Sequence, residues 1–146
     1  MDVAAFVIST CSFAISTILS IWAIFFNKRI NDINLDSDML KGIVGEFLID
    51  KFPKAYSDLC INNNKLTNID QMQDVLTALV RKLKYFKFKD SGFYKSIKTA
   101  CQELENYLVE KYLETMELDE QAEFLTNVSK QISAIYQLID DKYKNG

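Results

Sequence analysis

Residues 3–26, VAAFVISTCSFAISTILSIWAIFF, run for twenty-four positions without a charged side chain, and no other feature narrows the possible folds so far. A helix of that length rises roughly 36 Å at about 1.5 Å per residue, against a bilayer hydrocarbon core of roughly 30 Å. Twelve of its residues are Leu, Ile, Val or Phe. On the insertion scale these contribute roughly −4 to −7 kcal/mol, and no central charge opposes them. A cleavable signal peptide would need a positive start and a small-residue end. Here Met1 and Asp2 precede the run and Phe25-Phe26 close it. The expectation is a retained transmembrane helix.

Lys28 and Arg29 follow the run, with no Lys or Arg ahead of it. The positive-inside rule then places the N-terminus outside and the remainder of the chain in the cytoplasm, with Trp22 at the inner interface. The expected location is a bacterial inner membrane, crossed once. Ser9, Ser12, Ser16 and Ser20 recur every three or four residues and share one stripe of the helix with Ala5. Such a stripe suits close approach of a second membrane helix, with hydroxyls bonding across. Self-association, or docking on a partner's membrane helix, is the functional reading. A moderately apolar anchor that contains serines by composition is the plain one.

Past this segment about 120 residues remain, enough for one domain with its own core. Residues 27–37 read as a polar juxtamembrane connector, with Asp36, Ser37 or Asp38 capping the next helix. Residues 38–144 read as a helical bundle. Leu40, Ile43, Val44, Phe47, Leu48, Phe52, Tyr56 and Leu59 form the first apolar stripe, which Pro53 should kink or split. Asn62-Asn63-Asn64 reads as a loop, and Thr67 with Asp70 resembles a capping box. A second stripe runs through Ile69, Met72, Leu76, Leu79, Leu83 and Phe86, and stops at Asp90-Ser91-Gly92. The third carries Ile97, Cys101, Leu104, Leu108 and Tyr112. The fourth, which Asp119 could cap, carries Ala122, Leu125, Val128, Ile132, Ile135 and Ile139. No strand is expected. The fold class is therefore all-α: one N-terminal transmembrane helix followed by a small antiparallel four-helix cytoplasmic bundle.

The chain contains no histidine, which removes the commonest general base and the commonest metal ligand. Its four glycines form neither a G-x-x-x-x-G-K-[ST] nor a G-x-G-x-x-G loop. Cys11, Cys60 and Cys101 match no zinc or C-x-x-C spacing and read as small apolar residues. No catalytic, cofactor-binding or metal-binding residue is assigned, and the chain is not expected to be an enzyme.

Charge is segregated. Arg81, Lys82, Lys84, Lys87, Lys89, Lys95 and Lys98 face one acid, Asp90, in an eighteen-residue stretch. Eight acids then face one lysine between Glu103 and Glu123. Arg81, Lys82, Lys84, Lys87 and Lys89, interleaved with Tyr85, Phe86 and Phe88, are the candidate contact for anionic lipid or a partner. Glu110, Glu114, Glu117 and Glu120 are the candidate acidic surface for a basic partner. Helix-end electrostatics is the plain reading of both. The net charge of −3 gives no reason to expect nucleic acid as a partner. The expected partners are membrane lipid and a protein, or self-association through the membrane helix. The functional expectation is a non-enzymatic, membrane-anchored interaction or regulatory protein. The alternative is a membrane-perturbing effector or toxin that oligomerises through its transmembrane helix.

Overall fold

The computed structural model describes residues 24, 27 and 35–145. The chain divides into two units, Met1–Asp38 and Met39–Gly146. Of the first, the described residues are helical. The helix over 35–43 (α1) is already running at Leu35, so Asp36, Ser37 and Asp38 lie inside it and are not its cap. In the second unit the order is a π-helical turn Val44–Lys51, α2 (Phe52–Asp58), β1 (Cys60–Asn62), β2 (Lys65–Thr67) and α3 (Asp70–Lys82). A 3-10 turn Leu83–Tyr85, α4 (Phe86–Lys89), α5 (Ser91–Leu113) and α6 (Leu118–Asn145) complete it.

Among the described residues no helix is long and apolar enough to cross a membrane. This corrects the expected fold class, a transmembrane helix carrying an all-α bundle, together with the single-pass membrane location. The physical reason is visible in α5 and α6. Both have the length, but Asp, Glu, Lys and Gln recur along their outer faces, and only one stripe is buried. The stretch 3–26 behind the membrane expectation, with Ser9, Ser12, Ser16 and Ser20, lies outside the described residues except at Ile24.

Among the described residues four helical segments enclose the core, and cross-contacts fix their directions. Leu48 and Tyr56 meet Tyr136 and Leu125 respectively. Glu46 meets Lys82, Phe86 meets Phe93, and Asp90 meets Lys142. In each pair the sequence order reverses, so neighbouring segments run antiparallel. Ile43, Phe47, Phe52, Met72, Leu79, Leu83, Phe86, Leu104, Leu108, Val128, Ile135 and Ile139 all lie at 1 % exposure or less. Burying each such side chain stabilises the fold by about 1.5–3 kcal/mol relative to leaving it in water. In α6 the buried partner is Phe124 rather than Ala122 or Leu125. Tyr112, assigned to the third stripe, is half exposed, while Met116 in the link is buried.

Pro53 does not split the first segment, whose helix continues through it. Proline has no N–H and its ring crowds the carbonyl four residues back. The helix answers by widening: Phe52 N–H bonds the Phe47 carbonyl, five residues back, and the α register resumes at Phe52. The Leu48 carbonyl, which residue 53 would serve in that wider register, instead accepts from the Tyr136 hydroxyl at 2.5 Å.

The Asn-rich loop is a two-stranded antiparallel hairpin, pairing Cys60 with Thr67, Ile61 with Leu66 and Asn62 with Lys65. Asn63 and Asn64 make its two-residue turn at φ 51° and 63°, the left-handed pair that a type I′ turn needs and that Asn tolerates. Thr67 is a strand residue whose Oγ1 donates to the Cys60 carbonyl at 3.0 Å; it does not cap α3.

Candidate functional site

The basic end is shaped by the tight turn between α3 and α4. Leu83 and Phe86 are both fully buried. A 3-10 turn stacks positions three apart, so one turn anchors both. That rotation leaves Phe88 pointing into water at 89 % exposure. Phe86 packs edge-on against Tyr85 and Phe93, each with ring centroids 5.2 Å away. Lys87 Nζ lies 5.6 Å from the centre of the Phe88 ring, and Lys89 Nζ 5.7 Å from that of Tyr85. Arg81, Lys84, Lys87 and Lys89 are exposed here. Lys82 is exposed as well but pairs within the molecule, donating to Glu46 at 3.0 Å while Lys51 donates to the same carboxylate at 2.6 Å. Lys51, then Lys82, holds Glu46 below the usual carboxylate range.

Asp90 closes the turn and opens α5. Its Oδ1 accepts from Phe93 N–H at 3.0 Å, and its Oδ2 pairs with Lys142 at 3.1 Å. These contacts, the backbone N–H first, lower its pKa. A carboxyl with a lowered folded-state pKa stabilises fully above its unfolded value and loses that contribution as pH falls through the folded one. Asp90→Ala is expected to cost about 1 kcal/mol near neutral pH, the usual worth of an N-cap. In urea titrations the gap between the two proteins should close on acidification; a gap that is constant with pH would rule out the cap.

The acidic end is the link between α5 and α6. Met116 is buried and its N–H bonds the Asn64 carbonyl at 2.8 Å, so the hairpin tip holds the link. Gln121 Nε2 adds bonds of 3.1 Å to Asn64 Oδ1 and to the Met116 carbonyl. Of the four candidate acids, two have local roles. Glu120 accepts from Glu117 N–H at 2.7 Å, a side chain three residues on bonding back to the start of the helix. Glu114 pairs with Lys111 at 2.7 Å, which raises the Lys111 pKa. Glu110 and Glu117 are exposed, as are Asp119 and Glu123.

What sequence reasoning missed at this end is apolar. Leu113 and Leu118 are 79 % and 78 % exposed and flank the acidic link. Both fall off the buried stripes, a signal that was present in the spacing. A hollow of about 460 Å³ is lined by residues 65–70, Lys65 and Asp70 among them, and by Tyr112.

The two ends lie at opposite ends of α5, whose 23 residues span roughly 34 Å at about 1.5 Å per residue. At physiological salt the Debye length is about 8 Å, so neither end screens the other within one molecule. Elsewhere, Cys101 is buried, and that burial, with Glu105 second, pushes its thiol up to about 12. Among the described residues no three His, Cys, Asp or Glu side chains converge as a metal site. Compared with protein-family models, curated proteins and solved structures, the chain matches none.

Proposed function

We propose that this chain is a non-enzymatic interaction module that engages an acidic protein surface through its basic, aromatic end. The observation that carries this reading is Phe88: a large ring left 89 % exposed, bracketed by Lys87 and Lys89 and with Lys84 and Arg81 one and two turns behind. Aromatic and Arg side chains dominate protein interfaces because they bury much area for little lost freedom. The surrounding lysines add long-range steering toward negative charge. A chain without histidine, whose buried thiol is held protonated, is better suited to binding than to proton-transfer chemistry.

The test is photo-crosslinking in cells that express the full chain, from a benzophenone side chain placed at position 88 or, as a control, at exposed position 103. A discrete protein adduct is expected from 88 and not from 103, and it should disappear with Lys84→Glu combined with Lys87→Glu. Equal labelling from both positions, or none from 88, would overturn the reading.

A further inference from the structure

We propose that the acidic surface is a second copy of this chain, and that copies associate head to tail. This rests on the interaction reading above. The Phe88 end of one molecule docks on the link between α5 and α6 of the next, beside Leu113 and Leu118.

The two ends of a single molecule are complementary. One end presents a protruding ring among exposed cations, Arg81, Lys84, Lys87 and Lys89. The other presents two exposed leucines among exposed acids, Glu110, Glu117, Asp119 and Glu123. The second end is also concave, with a hollow of mixed character lined by residues 65–70, Lys65 and Asp70 among them, and by Tyr112. Ring meets hollow, cation meets anion, and in each case the partners stand at opposite ends of α5.

A molecule cannot satisfy both ends by itself, because a rigid 23-residue helix holds them apart. A contact that sets either end against its own copy places lysine against lysine or acid against acid and is disfavoured. The contact between unlike ends either closes as an antiparallel two-fold pair, in which each Phe88 end meets the other copy's link, or repeats from copy to copy into a ring or filament. Its attraction is between exposed charges, so it weakens as salt is added.

Two measurements on the purified full chain test this. A benzophenone side chain at position 88, irradiated in a mixture of ¹⁵N-labelled and unlabelled copies, should give covalent dimers joined to the tryptic peptide 66–81 or 112–130 of the other copy. Separately, Lys84→Glu with Lys87→Glu, and Glu117→Lys with Asp119→Lys, should each weaken association at least tenfold in sedimentation velocity. Mixing the two variants should restore association, because each end again meets a surface of opposite charge. Glu120 and Glu114 are left intact because they hold the link itself. Adducts from position 88 confined to other peptides, or association indifferent to both charge reversals, would overturn head-to-tail assembly. If the purified chain gives no such adduct while cells still yield a different protein bound at position 88, self-assembly falls and the interaction reading stands.

Discussion

Phe86→Ala is expected to destabilise the helical unit by about 3–5 kcal/mol, while Phe88→Ala, two residues along, changes stability by less than about 0.5 kcal/mol. The two rings sit in one short motif, K-Y-F-K-F-K, and composition alone treats them alike. Phe86 is fully buried and holds edge-on contacts with Tyr85 and Phe93. Its removal loses the transfer free energy of the ring and leaves a cavity between α3, α4 and α5 that the backbone cannot close. Phe88 has almost no protein against it to lose. Urea unfolding followed by circular dichroism should show the midpoint of Phe86→Ala falling steeply at an unchanged slope. Phe88→Ala should overlay the parent curve yet fail in the association assays. A large stability loss for Phe88→Ala would mean that its ring is packed, and the basic end would lose its knob.

That contrast also marks how far the sequence could be read. The burial of Ile97, Cys101, Leu104 and Leu108 follows from their spacing of four, three and four, and the structure buries each. The separation of charge into a basic and an acidic block was equally plain. Phe86 also falls on the stripe that runs through Leu79 and Leu83, and the structure buries it while Phe88 faces water; what the spacing does not announce is the 3-10 turn at Leu83–Tyr85 that carries it. The hairpin was missed for a different reason. Three-residue strands carry too little alternation to register, and Asn-Asn reads as loop unless its tolerance of positive φ is weighed as turn chemistry. In α6 a phase error of one residue put Leu125 inside and left Phe124 unassigned. Periodicity finds a face more readily than it finds the residue at its centre. The membrane expectation drew on apolar length in a segment outside the described residues, and no described helix shares that character.

The second large effect concerns the carbonyl that Pro53 leaves unserved. Tyr136→Phe is expected to cost about 1–3 kcal/mol, because it strips the proton that the fold directs at the Leu48 oxygen and takes away that half-buried acceptor's partner. Burial raises the Tyr136 pKa, so the phenol keeps its proton across neutral pH and the donor is always in place. If the missing proline N–H is the cause, the cost must depend on Pro53. In Pro53→Ala the N–H gained at position 53 can bond Leu48 directly, or let the segment relax to α spacing; either way the hydroxyl is no longer needed. A double-mutant cycle should therefore show Tyr136→Phe costing about 1 kcal/mol less in the Pro53→Ala background. Tyr56→Phe is the internal control. Its hydroxyl donates at 3.3 Å to the Leu125 carbonyl, which already serves the ladder of α6, so its loss should be small and uncoupled to position 53. Equal costs of Tyr136→Phe in both backgrounds would separate the hydroxyl from the proline and leave the π-helical turn Val44–Lys51 without a physical cause.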